Sequence, residues 1–174
     1  PPRSTLFPYT TLFRSPESLI NQPELGTINI HYSLLPKYRG ASPLEQALLN
    51  GDEMTGVSIQ QMALKLDTGA IIAQKELKIE ENDTKDDLKI KLVKLGGNLL
   101  CEIIPNIINK NINPQVQNET QATYCIKIKK EDGEIDLRDN AKKNYNKYRA
   151  YYGWPGVYFF VNKQIGRASC RERV

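Results

Sequence analysis

Four leucines, Leu88, Leu92, Leu95 and Leu99, follow one another at spacings of four, three and four, the rhythm of a single helix face. Such a face has to be buried, so an apolar surface must lie against it. Three strand candidates precede the helix. Gly26 to Ser33 alternates, with Ile28 and Ile30 on one side and Asn29 and His31 on the other. Val57, Ile59 and Gln61 alternate with Ser58, Gln60 and Met62, and after a short LDTG turn residues 70–79 continue as a third strand. Asp83 or Thr84 stands where the leucine helix needs its N-cap, and Pro105, late in the pattern, is expected to kink or end it. A second helix is expected between the first two strands. Ser42 is its N-cap, Pro43 its first residue and Glu45 the partner of a capping box, with Asn50 at its end and Gly51 closing it. This alternation of strands and helices predicts an α/β fold.

Beyond the leucine helix the pattern changes. Residues 110–121, rich in Asn, Gln and Pro, read as an exposed connection, followed by a short strand in ATYCIKI and a solvated turn in KKEDGE. Asp139 is placed to cap a helix through Ala150, and WPG at Trp154–Gly156 breaks it before an aromatic strand, VYFFV. No repeat of solenoid length is present.

Composition narrows the function classes. With 40% hydrophobic side chains in 174 residues the chain can bury one core. No window is apolar enough to span a membrane, and the amino terminus lacks the basic-then-apolar order of a signal peptide, so the expected location is the cytoplasm. Cys101, Cys125 and Cys170 are scattered and have no clustered histidines beside them, which favours free thiols over disulfides or zinc. The net charge of +4 does not mark a nucleic-acid binder by itself, because five of the 24 basic residues but one of the 20 acidic ones lie in two terminal stretches. Those stretches, residues 1–15 with a repeated Thr-Leu-Phe unit and residues 166–174, resemble translated sequencing-adapter DNA and are expected to be non-native.

His31 is the only histidine. In a strand, positions two apart project from the same face about 7 Å apart, so Asn29 and His31 point together just before a loop containing Pro36 and Gly40. An amide and an imidazole side by side can stabilise an oxyanion and move a proton, the two needs of acyl transfer to an amine. A carboxylate to orient the ring would complete the set. Asp67, in the turn between two strands, is the candidate, one arrangement among several that spacing allows.

Taken together, NIHYSLLPKYRGASPLEQALLNGD, TGVSIQQM and LDTGAIIAQ resemble, in order and spacing, the formyltetrahydrofolate-dependent formyltransferases, and most closely the branch that acts on methionyl initiator tRNA. The resemblance covers roughly residues 18–162. It implies that Asn29 holds the oxyanion, His31 is the catalytic histidine and Asp67 its carboxylate, and that Ser33, Leu34, Leu35 and Pro36 line the folate site. It further implies 10-formyltetrahydrofolate as formyl donor, initiator methionyl-tRNA as partner, no metal, no membrane association and a monomer. The implied architecture is the second half of a Rossmann-like formyltransferase domain with its parallel sheet over residues 16–112, a linker over 113–138, and over 139–165 the start of a truncated C-terminal β-barrel, OB-like domain that helps to hold tRNA. On this reading the family's first half has no counterpart in the chain, which is expected to be inactive alone.

Tyr32, Ala70, Cys125 and Leu137 depart from the family's usual residues, Ala70 beside the Asp67 turn. Rival readings are a formyltransferase for a nucleotide-linked amino sugar, a formyltetrahydrofolate hydrolase, and a non-catalytic binding relic. Plainer readings also exist for single motifs. LLPKYRG can be a loop before a helix with Lys37 and Arg39 solvated, and Lys127, Lys129 and Lys130 can be a solvated strand end instead of a phosphate contact.

Overall fold

The computed structural model describes residues 16–161 and 164–167. The first terminal stretch, nearly all of the second, and Cys170 lie outside the described residues. A short helix, α1 (Glu17–Ile20), leads into β1 (Ile28–His31). There follow β2 (Arg39–Gly40), α2 (Pro43–Asn50), β3 (Met54–Gln61), β4 (Ile71–Lys78) and the 24-residue α3 (Lys85–Ile108). After the connection come β5 (Tyr124–Cys125), α4 (Ala141–Ala150), β6 (Tyr158–Val161) and β7 (Gln164–Arg167).

The central sheet has the order β1-β3-β4 and is antiparallel throughout, which corrects the expectation of parallel strands here. The turn joining β3 to β4 is too short for the crossover that a parallel pair requires. Parallel pairing survives between β2 and β5, two residues each. Register divides the sheet into two unlike faces. Ile30 lies opposite Ile59, and Ile59 opposite Ala73, while Asn29 lies opposite Gln60, His31 opposite Ser58 and Ser58 opposite Gln74. The apolar face receives α3 through Leu99 and Ile103, and Leu88 and Leu92 extend the same helix face into the larger core beside Val57. Close approach is allowed by Gly96, where an added Cβ would come within 3.1 Å of Ile30 Cγ2.

The caps divide. Thr84, not Asp83, starts α3, with a full capping box to Asp87, whereas Asp83 accepts from Glu80 N–H and binds Lys91. At α2, Pro43 stands at N1 and Gly51 closes the helix at φ 71°, but Ser42 caps with no side-chain hydrogen bond. Its backbone sits at φ −138°, ψ 53°, and its N–H is turned to Cys125 Sγ, so the expected capping box does not form. Pro105 does not stop α3 at once; it lies inside the helix, which runs three residues further to Ile108.

Two more expectations change beyond α3. The connection over 110–121 is not simply exposed: the Gln115 backbone exchanges two hydrogen bonds with Ile71, and Gln117 is buried. Asn140, one residue later than Asp139, caps α4 through a bond from Lys142 N–H. Ala150 and Tyr151 then join Leu44, Ala47 and Leu48 in the larger core, so α4 is seated on α2. β6 and β7 pair as an antiparallel hairpin. Among the described residues no helix is long and apolar enough to cross a membrane.

Candidate active site

The polar face of the sheet carries the residues singled out above. Asn29 and His31 extend from β1 on the same side as Gln60, Ser58 and Gln74. The turn after β3 folds back over this face and brings Asp67 with it, so that Asp67 Oδ2 lies 3.7 Å from His31 Nδ1. Both side chains are buried, 6% and 8% exposed, a setting in which water screens their interaction little. The other ring nitrogen, Nε2, lies 2.9 Å from the Tyr38 carbonyl. A carbonyl only accepts, so Nε2 carries the proton in this contact. Asn29 is half-buried, and its amide has no hydrogen-bond partner among the described residues.

Asp67 has a left-handed backbone, φ 51°, which a non-glycine residue adopts only when its surroundings hold it. Its Oδ2 accepts the Gly40 N–H at 2.9 Å and its Oδ1 the Gln60 side-chain amide at 3.0 Å. Two glycines make room for this. A Cβ on Gly69 would lie 1.7 Å from the Gln61 carbonyl oxygen, and one on Gly40 would lie 2.0 Å from that of Cys125.

The Ser33–Pro36 loop is bolted to the sheet from inside. Ser58 Oγ donates to Ser33 O at 2.6 Å and accepts from Leu35 N–H and from Gln74, while Ser33 Oγ donates to Lys37 O. Ser33 and Leu35 therefore turn inward, fully or almost fully buried, while Leu34 and Pro36 are half-buried. Leu34 rests over Gly56, whose added Cβ would come within 2.5 Å of Leu34 Cδ2.

Arg39 corrects the solvated reading of its loop, since it is 0% exposed. Its guanidinium makes a two-pronged contact with Glu119, at 2.9 and 2.7 Å, and donates to Gln117 Oε1 and to the Tyr124 hydroxyl. The Glu119 contact holds the guanidinium above its ordinary pKa against burial, and in turn holds the carboxyl of Glu119 below its own. Burial, followed by its hydrogen bond to Asp52, pushes the Tyr38 hydroxyl up to about 12, so that it stays a donor on Asp52 Oδ2. Burial likewise raises the Cys125 thiol. Arg39, Gln60, Gln117 and the Gly40 amide are the site residues that sequence reasoning passed over. Among the described residues no group of three or more His, Cys, Asp or Glu side chains is arranged to hold a metal ion.

Family models match on either side of the connection: formyl transferase over residues 12–104, more than half of the chain, and the formyl transferase C-terminal domain over residues 127–169. The chain belongs to the formyl transferase family. Among curated relatives, the chain is 44% identical over 143 residues to the methionyl-tRNA formyltransferase of Staphylococcus aureus strain MW2, an overlap of 82% of this chain and 46% of that protein. It is 42% identical over 149 residues to the enzyme of the same name from Staphylococcus epidermidis, covering 86% of this chain and 48% of the relative. The chain thus spans about half the length of the curated relatives it matches. Among solved structures, it is similar to the N-formyltransferase of Helicobacter canadensis in complex with folinic acid and dTDP-3-aminofucose. That likeness has a TM-score of 0.70 and 29% identity over 78% of this chain and 51% of the other. HypX from Aquifex aeolicus, solved with tetrahydrofolic acid, shares the fold at a TM-score of 0.69 and 20% identity, over 80% of this chain and 24% of HypX.

Proposed function

We propose that the native-length protein transfers a formyl group from 10-formyltetrahydrofolate to the α-amine of methionine esterified to initiator tRNA. The observation that carries this reading is the meeting of His31 and Asp67 on the face that also bears the Asn29 amide, which has no hydrogen-bond partner among the described residues. The reaction needs an uncharged amine to attack the formyl carbon. A carbon–nitrogen bond forms to methionine, the bond from the formyl carbon to the folate nitrogen breaks, and the amine proton ends on that folate nitrogen. Asn29 donates to the oxygen that becomes negative in between, because its amide is committed to no other group among the described residues. His31 stands beside it as carrier of the proton through Nδ1, the ring nitrogen that the Tyr38 carbonyl does not hold, and Asp67, 3.7 Å from that nitrogen, stabilises the charge the ring gains while it does so.

The half-buried Leu34 and Pro36, on a loop fixed to the sheet by Ser58 and Gln74, are the side chains of the 33–36 loop that face the folate. The stretch after the connection is the opening of the C-terminal barrel domain that holds the tRNA, and the enzyme works as a monomer in the cytoplasm. The match to the family's C-terminal domain and the 42–44% identity to methionyl-tRNA formyltransferases support tRNA over an amino sugar as acceptor.

Asn29→Ala and His31→Ala in the native-length enzyme should each lower kcat by about 10²–10⁴-fold with charged initiator tRNA and formylfolate, and leave near-UV circular dichroism unchanged. A variant that keeps more than a third of the rate removes its residue from the mechanism. A wild-type enzyme that formylates a dTDP-linked amino sugar and ignores the charged tRNA overturns the choice of acceptor.

A further inference from the structure

Two different groups of contacts hold Asp67. Its carboxylate is fixed by the Gly40 N–H and the Gln60 amide. Its left-handed main chain is fixed by something else, the side chain of Gln117, which reaches in from the connection 50 residues further along. The Gln117 amide donates to the Asp67 carbonyl at 2.9 Å and to the Gly69 carbonyl at 2.7 Å. Two carbonyls two residues apart are thus gripped by one NH2 group, and the turn between them is closed.

The orientation of that amide is unambiguous. Its oxygen faces Arg39, which donates to it from Nε at 3.0 Å and from Nη2 at 2.8 Å, and a guanidinium can only donate. All five N–H donors of Arg39 are in use: two on Gln117, two on Glu119 and one on Tyr124. Arg39 and Gln117 are both buried, at 0% and 5% exposure, so water competes little for the bonds between these two. Glu119 lies on the same connecting stretch as Gln117, and Tyr124 opens β5 directly after it. The route is continuous, from the connection through Arg39 and Gln117 to the main chain of Asp67.

We propose that Gln117 is a positioning residue for Asp67, through which the connection between the two family-matched regions sets the place of the carboxylate beside His31. This rests on the acyl-transfer reading of the site. It adds to that reading a dependence of the rate on a segment that touches neither reactant. The same segment leads into the stretch matched by the family's C-terminal domain, so the seating of that domain acts on the reacting pair through Gln117.

The test uses the native-length enzyme. Gln117→Glu keeps an oxygen for Arg39 but has no N–H to give to the Asp67 and Gly69 carbonyls; Gln117→Ala removes both halves. Both should lower kcat by about 10–100-fold, the cost of a misplaced supporting group, with KM for folate and for charged tRNA within about threefold of wild type. Histidine labelled with ¹⁵N gives a readout apart from activity. The His31 signal, assigned by its loss in His31→Gln, should shift in both variants as Asp67 moves. If Gln117→Glu has wild-type kcat and an unmoved His31 signal while His31→Ala is inactive, Gln117 only packs and the inference falls alone. If His31→Ala is active, the acyl-transfer reading falls, and the His31 signal in Gln117→Glu still decides whether Gln117 places Asp67. A loss expressed wholly in the KM for tRNA, with kcat and the His31 signal unchanged, makes the segment a binding element and overturns the proposal.

Discussion

The two faces of the central sheet are built from the same three strands and obey different rules. On the face against α3, Ile30, Ile59, Leu99 and Ile103 are held by burial alone, which is non-directional and roughly proportional to area. On the opposite face every buried polar atom needs a particular partner at a particular distance: Ser58 with Ser33, Leu35 and Gln74, and Gln60 with Asp67 and Gln117. The apolar face can absorb a change of shape and lose only stability. The polar face passes a change on to the reacting groups.

Four substitutions separate these behaviours. Leu92→Ala, at a fully buried position of α3, should cost about 2–5 kcal/mol in urea unfolding. The rate per folded molecule should remain near wild type; a loss of kcat in the folded fraction would break the contrast. Gln60→Met on the other face should cost less, about 1–3 kcal/mol for the acceptor it strands on Asp67, and should lower kcat by about tenfold or more. Near-normal kcat there would show that the Gly40 N–H suffices to hold the carboxylate.

Tyr38 belongs to both regimes, with its ring in the core, its hydroxyl on Asp52 and its carbonyl on His31. A tyrosine whose folded pKa stands at about 12, above the unfolded value of about 10, gives stability that is whole below pH 10 and lost as pH rises from 10 towards 12. Unfolding free energies at pH 8 to 11 should fall less steeply for Tyr38→Phe than for wild type, and the Phe variant should be about 1 kcal/mol less stable at pH 8. Parallel pH curves would sink that assignment. The smallest effect belongs to Thr84→Ala at the cap of α3, about 1 kcal/mol by thermal melting, with kcat unchanged.

How far the sequence could be read follows the same division. Periodicity reports burial, so the leucine row, the strand alternation and the Pro43 and Gly51 boundaries of α2 were legible. Asn29 and His31 on one side of β1 follow from the period of a strand. The register of β3 made its alternation look half-exposed, yet Thr55 through Gln60 are all buried, because loops cover the polar face as α3 covers the other. Arg39 read as a solvated loop residue since its partners lie 78 and 80 residues away, and nothing local marks such a contact. Gln117 was hidden for the same reason, one Gln in a polar run whose neighbour Val116 is 91% exposed. The Ser42 box failed for a long-range cause too, the approach of Cys125.

Gly40 donates its N–H to the Asp67 carboxylate and Gly69 stands two residues after Asp67 in the same turn, and each lacks room for even a methyl group. A substitution at Gly40 would push away the strand of Cys125 and, with it, displace the N–H that Asp67 accepts. One at Gly69 would pry β4 from Gln61 and lift a carbonyl out of the grip of Gln117. These two positions are therefore closed to gradual exploration by mutation: no neighbouring sequence with a slightly larger residue keeps the site slightly altered. Variation in catalytic behaviour within this scaffold must enter through other positions, and libraries built to retune it should leave both glycines untouched.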